Sequence, residues 1–151
     1  MAAYSQSWLN AENACYDYLL NLLGATNGQN AFLGGMPAGL LNAWSFGFNG
    51  GPESILARAP GAYTPCSWEM DAEWTAAYGK RADAINAIGI LMDALPAGAN
   101  HGTRTIPYVQ TLQVVRPPNI ASEWVEIANS NQQHQITMVT WQLKVVFKLN
   151  A

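Results

Sequence analysis

Three carboxylates in one alternating segment are the residues of this chain whose types and spacing could do chemistry. Glu69, Asp71 and Glu73 occupy every second position, which on a β-strand places them side by side, roughly 7 Å apart. Such a row can do acid and base work or bind a hard cation. Because metal sites usually collect ligands from several elements, we interpret the row as a solvated or charge-lining strand face.

Two histidines are the other candidates for chemistry. His101 and His134 both stand in polar or Gly-rich stretches that are predicted to be loops, where exposed histidines are common. The sequence has no P-loop, no dinucleotide-binding glycine motif, no zinc-protease motif and no nucleophile elbow. We therefore predict that the chain is not an enzyme, with no catalytic, cofactor-binding or metal-binding residues and no cofactor.

Two long segments have apolar residues at every second position, strictly so in the first, and must position these side chains. Residues 66–78 and 135–149 show this period, which is typical of strands with one buried face. Trp68, Trp74 and Trp141 fall at apolar positions and are predicted to lie in the core. The last strand is expected to complete a sheet by lying beside earlier strands.

Two amphipathic helices are predicted to cover the sheet. The first runs to Leu23, with Ser5 or Ser7 as its cap and Gly24 ending it. The second covers residues 80–95 and is closed by Pro96 and Gly98. Its predicted buried stripe consists of Ile85, Ile88, Leu91, Met92 and Leu95.

The remaining segments are predicted to be shorter elements. Residues 24–61 form a Gly-rich loop region with a short strand at 44–48, a turn at 49–51 and two helical turns at 52–59. Residues 105–115 form another strand, and 122–128 form a short strand or an extended excursion. The polar run at 129–135 is predicted to be a hairpin tip.

The predicted fold is one α+β domain spanning residues 1–151. It has a mainly antiparallel sheet of about four strands, two helices packed on one face and a long Gly-rich loop region. A chain of 151 residues can bury one sizeable core.

The composition narrows the possible functions. Charged residues make up 11% of the chain, against about 25% in a typical soluble domain, so the surface is partly uncharged, as in proteins that bury their exterior against other subunits. The net charge of −3 and the scattered seven basic residues argue against a protein that binds nucleic acid through phosphates. Cys15 and Cys66 are interpreted as free thiols. With no signal-peptide pattern or membrane-span run, synthesis in a cytosol-like compartment is expected.

The order of elements resembles the tail terminator proteins of long-tailed bacteriophages, also called tail completion or tail-to-head joining proteins. The resemblance rests on an N-terminal helix, a glycine-rich passage, a long alternating strand, a helix starting near Lys80-Arg81-Ala82, and final strands ending in WQLKVVFKLN. It implies a virion structural protein that forms a ring, usually of six subunits. That ring caps the tail tube and joins it to the head connector. The passage at 24–61 is bulkier than the family pattern.

The resemblance also implies roles for particular residues. The apolar segment 31–41 would pack on an adjacent subunit or on the tube, although packing within its own subunit stays open. Glu69, Asp71 and Glu73 would face a channel through which DNA passes without sticking. The candidate interface residues are Phe32, Leu33, Met36, Leu40, Leu41, Lys144 and Lys148.

Other functions remain open at this point. One is a different phage neck or tail-tube subunit, and another is a small ligand-binding or enzymatic module that uses His101, His134 or the carboxylate row. A third is a soluble interaction domain of non-viral origin. Rings or tube-end caps would favour the structural role, whereas a monomer with an occupied deep pocket would favour the module.

Overall fold

The final strand pairs with other strands along both of its edges. The computed structural model describes residues 3–35, 37, 39–54, 67–95, 106–115, 117–126 and 133–148. The elements along these residues are α1 (Ala3–Leu23), β1 (Ala31–Leu33), β2 (Ala43–Ser54), β3 (Ser67–Tyr78), α2 (Arg81–Ala94), β4 (Val109–Val114), β5 (Asn119–Glu126) and β6 (Gln133–Lys148).

The six strands form one mixed sheet. β6 pairs antiparallel with β3 over twelve residues, β3 pairs antiparallel with β2, and the short β1 runs parallel to β2. On its other edge β6 pairs with β4 along its second half and with β5 along its first half. The α+β prediction is confirmed, with six strands where about four were predicted. The two additional strands are β1, which lies in the predicted Gly-rich loop region, and β5, for which an extended excursion was the alternative.

One face of the sheet forms the core. Met70, Ala72 and Trp74 of β3 are buried, and so are their register partners on β6. Trp74 and Trp141 stack with ring centroids 5.9 Å apart, which confirms their predicted core role. Buried residues of α1 and α2 belong to the same cluster, so both helices cover this face, as predicted.

The first helix starts earlier than predicted. It already includes Ser5 and Ser7, and Ser7 is buried, so neither serine can be the cap, which requires a non-helical backbone. The predicted end is confirmed, because Gly24 follows Leu23 with a φ of +64°, a conformation that glycine adopts without steric cost.

β2 continues through residues that were predicted to be a turn. Residues 49–51 and 52–54 belong to this strand, so the turn is wrong and residues 52–54 are not helical; residues 55–61 lie outside the described part. Four steps along β2, from Asn49 to Glu53, match two along β3, from Asp71 to Glu69. This irregularity accommodates the Gly-Gly-Pro sequence, because the extra residues need no strand partner.

The second helix is confirmed over Arg81–Ala94, flanked by Lys80 and Leu95. Its buried residues within the helix are Ala84, Ala87, Ile88 and Leu91. Ile85 and Met92, which were predicted to be buried, are 46% and 48% exposed. The two alanines explain the difference, because small side chains let the helix approach its neighbours closely while the larger residues flank the contact.

The C-terminal strands differ from prediction at their ends. β4 starts at Val109, after a turn in which Tyr108 has a φ of +65°, so the predicted strand over 105–115 is too long. β5 realises the predicted strand at 122–128 but starts at Asn119. Residues 129–132 of the predicted hairpin tip lie outside the described part, whereas residues 133–135 already belong to β6, so the tip was predicted too long. β5 and β6 pair antiparallel on either side of it.

Candidate functional site

The sheet face opposite the helices carries the predicted carboxylate row. We call Glu69, Asp71, Glu73, Gln142 and Lys144 the polar face. All five lie on the alternate positions of β3 and β6 whose neighbours are buried in the core. The structure therefore brings together two groups of residues that are about 70 positions apart in the sequence, through the register of the two central strands.

Opposite charges meet across this face. Asp71 is the register partner of Lys144, and Glu73 is the partner of Gln142. Lys144 Nζ lies 3.3 Å from Glu69 Oε1, with the side chains 47% and 27% exposed. The expectation that these charges pair if the strands are neighbours is thus confirmed. Solvent-exposed pairs of this kind contribute only about 0–1 kcal/mol, so the pair fixes side-chain positions more than it stabilises the fold.

A shallow groove of about 370 Å³ runs over the polar face. Its walls include Asp71, Glu73, Gln142 and Lys144, with Val115 at one side. Among the described residues, no three His, Cys, Asp or Glu side chains are arranged to hold a metal ion. The groove offers two carboxylates and one ammonium group, which suits weak binding of polar groups or simple charge repulsion.

The segment that was predicted to be an interface is only partly embedded in the protein. Phe32 in β1 is half-buried and pairs with Ser45 of β2. Leu33, at the end of this edge strand, is exposed. Leu40 and Leu41 are half-buried, and Leu41 lies beside Gly79. Met36 lies outside the described residues. The segment thus rests on its own sheet and still presents apolar surface outward.

For Lys148 and His134 the structure gives a position in a strand, and it does not describe His101. Lys148 is in β6 as the register partner of Ser67. His134 was predicted to lie in a loop but is in β6 opposite Val125, because the hairpin strand begins two residues earlier than the last strand was predicted to begin. His101 lies outside the described residues.

Buried polar contacts tie the helices and strands together. The Trp44 indole N–H donates to the Tyr78 hydroxyl at 2.7 Å. Burial raises the pKa of Tyr78; the Trp44 hydrogen bond lowers it by less, and Asp83 adds to the increase. The Phe48 backbone N–H donates to Glu12 Oε2 at 2.9 Å. Cys15 is fully buried as a free thiol, as predicted, and burial followed by the nearby Glu12 raises its pKa.

Sequence reasoning did not find a second groove, of about 380 Å³, between α1 and the turn before β4. Its lining residues are Asn10, Asn13, Ala14, Asp17, Tyr18, Asn21, Pro107 and Tyr108. The asparagines recur along one side of α1, and this pattern alone does not distinguish the wall of a groove from a solvated helix face. The sequence did not indicate that Tyr108 lies beside α1, because the left-handed backbone conformation of Tyr108 is set by the tertiary structure.

Sequence reasoning also gave no role to Trp124, which is 67% exposed on β5. Other exposed large apolar residues are spread over several elements: Leu9, Leu33, Ile85, Ile90, Met92, Tyr108 and Val115. Single exposed apolar residues are normal in proteins, but a chain with 11% charged residues has little charged surface around them.

No protein-family model matches the sequence, and no curated protein matches it. Five solved chains match it in structure. One of these matches over 93% of this chain and 94% of its own, with 11% sequence identity and a TM-score of 0.46. The name of that protein states no function, and a likeness this weak carries no information on what the present chain does. Within the described residues, no helix is long and apolar enough to cross a membrane.

Proposed function

We propose that this chain is a virion structural subunit that assembles into a homo-oligomeric ring, as phage tail terminator proteins do. The ring would cap the head-proximal end of the tail tube and contact the head connector, with subunits made in the host cytoplasm and incorporated in the tail or neck. Its partners would be further copies of itself, tube proteins and neck proteins. DNA would pass through without specific binding.

The observation that carries the proposal is the exposed apolar surface of a chain with few charges. Large apolar side chains are exposed on both helices, on β1 and on β5, and only 7 basic and 10 acidic residues are available to solvate the exterior. Subunit interfaces are depleted in charge and enriched in aromatic residues and methionine. An assembly subunit would bury this surface, whereas an isolated monomer would leave it in water.

The polar face supports a channel-lining role within this proposal. Its described charges are three carboxylates and one ammonium group, Lys144, a net of −2 from 1 − 3. A surface with this excess repels phosphate groups. In a ring, repetition of the face in every subunit would multiply the effect around the channel.

The proposal is tested by mass and shape. Native mass spectrometry and negative-stain images of the purified chain are expected to show closed rings. Leu33→Asp, at the exposed end of β1, is expected to reduce ring formation while the monomer stays folded by circular dichroism. Asn86→Asp, which puts the same charge at an exposed polar position of α2, is the control and is expected to leave ring formation unchanged. A wild-type chain that stays monomeric at all accessible concentrations would refute the proposal.

The groove beside α1 favours a second candidate function, the binding of a small neutral ligand. Its asparagines and tyrosines offer amide and phenol groups, and Asp17 adds a carboxylate, which suits hydroxyl-rich molecules such as sugars. Titration with neutral disaccharides, followed by NMR, would shift the amide signals of Asn13 and Asn21 if this is correct. A monomer with such shifts, which Asn13→Ala removes, would favour this function over the ring.

A further inference from the structure

The turn before β4 holds a tyrosine in a strained backbone conformation. Ile106, Pro107, Tyr108 and Val109 form a β-turn in which the Val109 N–H donates to the Ile106 carbonyl at 3.4 Å. Proline stands second, and the third residue, Tyr108, has a φ of +65°. This is the arrangement of a type II turn, in which glycine or asparagine usually takes the third position. A tyrosine is strained there, because its Cβ crowds its own backbone.

Packing does not explain why a tyrosine takes this position. Ile106 and Val109 are 3% and 5% exposed and anchor the turn in the core, whereas Tyr108 is 57% exposed. Residues in strained backbone conformations cluster at ligand sites, and Tyr108 lines the groove beside α1. The turn thus holds an exposed phenol ring in the wall of a groove.

The α1 wall of this groove is a line of hydrogen-bonding side chains along the helix axis. Asn10, Asp17 and Asn21 fall at positions i, i+7 and i+11, which lie on one side of a helix. We call these three residues the polar stripe, and all of them line the groove. They span roughly 16 Å along the axis at about 1.5 Å per residue. Ala14, between the first two, has a side chain too small to block the groove.

The asparagines of the first helical turns in the groove have a set hydrogen-bonding direction. Gln6 Nε2 donates to Asn10 Oδ1 at 2.8 Å, which leaves the Asn10 Nδ2 as a donor. Asn13 Nδ2 donates to the Leu9 carbonyl at 2.8 Å, which leaves the Asn13 Oδ1 as an acceptor, and Asp17 adds a carboxylate. Donors and acceptors thus alternate along the groove. Hydroxyl groups both donate and accept, so a ligand with many hydroxyl groups fits this pattern.

We propose that the groove beside α1 binds a linear neutral oligosaccharide that lies along the helix axis. This inference rests on the second candidate function, sugar binding in that groove, and is independent of assembly. One helical turn rises about 5.4 Å, close to the length of one unit in a straight chain of β-1,4-linked sugars, so the polar stripe spans three units. The phenol ring of Tyr108 packs on the C–H side of one unit, because the face of an aromatic ring is negative. The Asp17 carboxylate disfavours acidic sugars.

Chain length provides the first test. The probes are β-1,4-linked oligomers of glucose and of N-acetylglucosamine, titrated into the full chain and followed by NMR. Affinity is expected to rise at least about fivefold from the disaccharide to the trisaccharide and then to level off, and a trisaccharide of uronic acids is expected to bind more weakly. Equal affinities for disaccharide and trisaccharide would overturn the extended ligand, while the second candidate function stands. If no oligomer shifts the signals of Asn13 and Asn21, both fail.

Variants at the two ends of the polar stripe test the direction of the ligand. Asn10 and Asn21 are roughly 16 Å apart along the axis, so a disaccharide reaches only one of them. Asn10→Ala and Asn21→Ala are each expected to weaken binding of the trisaccharide, and only one of them to weaken binding of the disaccharide. Asn86→Ala, at an exposed asparagine of α2, is the control and should bind like the wild type. End variants that weaken the disaccharide equally would indicate a ligand lying across the helix and would overturn the proposal.

Tyr108→Gly tests the strained turn. Glycine adopts a positive φ without steric cost, so the midpoint of thermal unfolding is expected to be no lower than in the wild type. Binding of the trisaccharide is expected to weaken at least about fivefold, because the stacking surface is lost. Tyr108→Phe keeps the aromatic ring and is expected to bind like the wild type. A lower midpoint combined with wild-type affinity in Tyr108→Gly would show that the tyrosine serves the fold alone, and would overturn the proposal.

Discussion

At the scale of single residues, the hydrogen bond between Trp44 and Tyr78 is expected to contribute measurably to stability. Trp44 is 2% exposed, and its indole N–H donates to the Tyr78 hydroxyl. Tyr78→Phe would leave this donor buried without an acceptor, at a cost of about 1–3 kcal/mol in the free energy of unfolding. Urea unfolding measures the loss. Tyr108→Phe, which removes an exposed hydroxyl, is expected to change stability by less than about 0.5 kcal/mol; equal effects would contradict the assignment.

The same tyrosine predicts a dependence of stability on alkaline pH. Its pKa is raised above 10.0, chiefly by burial. The folded phenol therefore keeps its proton at pH values where the unfolded phenol has lost it. Its contribution to stability is fully present below pH 10 and is lost as pH rises through the folded pKa. Unfolding free energies measured from pH 8 to 11 are expected to fall less steeply in Tyr78→Phe than in the wild type. Identical slopes would exclude this contribution.

Cys15 is expected to be inert in the folded chain. It is fully buried, and burial raises the pKa of its thiol, so the reactive thiolate is scarce and inaccessible. In a Cys66→Ser background, labelling by a disulfide reagent at pH 8 is expected to be at least about a hundredfold slower in native buffer than in denaturing urea, because it requires an opening of the core. Rapid native labelling would show that Cys15 is accessible.

At the scale of elements, α1 supplies a hydrogen-bond acceptor for a backbone N–H of β2 that β1 does not reach. β1 pairs with β2 only as far as Phe46, and the N–H of Phe48 beyond it donates to the Glu12 carboxylate. Glu12→Ala is expected to cost about 1.5–3 kcal/mol, the range for hydrogen bonds to charged groups. Glu12→Gln retains an acceptor and should cost less. Hydrogen exchange of the Phe48 amide should accelerate in the alanine variant, and an unchanged rate would contradict this contact. Glu123→Ala, at an exposed carboxylate, is the control.

The two long strands with one buried face and one polar face were predictable from sequence. β3 and β6 alternate because one face is buried and the other is polar, and this period survives any choice of partner. β2 was not predictable through Gly50 and Gly51, because the same residues that make turns also fit an irregularity in a strand pair. On α2, the large apolar side chains of Ile85 and Met92 were predicted to be buried. Close packing of the helix instead buries Ala84 and Ala87.

The candidate site was predictable only in part. The spacing placed Glu69, Asp71 and Glu73 on one face, and the structure agrees. Whether Lys144 lies beside them depends on which strands are neighbours and in which register, and periodicity specifies neither. The 67% exposure of Trp124 could not be predicted either, because periodicity does not show how far other elements cover β5. Features that depend on contacts between distant segments thus could not be predicted from the sequence.

At the scale of the whole molecule, two separate surfaces would have to serve one assembly. The helix side of the sheet carries exposed apolar residues, among them Leu9, Ile85 and Met92, whereas the opposite side carries the polar face. A ring whose subunits join through the helix layer leaves the polar face available for a channel. The acidic excess of that face should then matter only in how the assembled ring treats DNA.

Neutralising the carboxylate row should make assembled rings retain DNA. Glu69→Gln, Asp71→Asn and Glu73→Gln together remove three negative charges and release Lys144 from its ion pair, so the face would attract phosphates at low salt. Electrophoretic shifts of short duplex DNA are expected with these rings and not with wild-type rings, and added salt should abolish them. The control combines Asp17→Asn, Asp83→Asn and Asp93→Asn, which gives the same change in net charge on the helices. Equal retention by both triple variants would show that net charge alone governs binding and that the polar face has no special access to DNA.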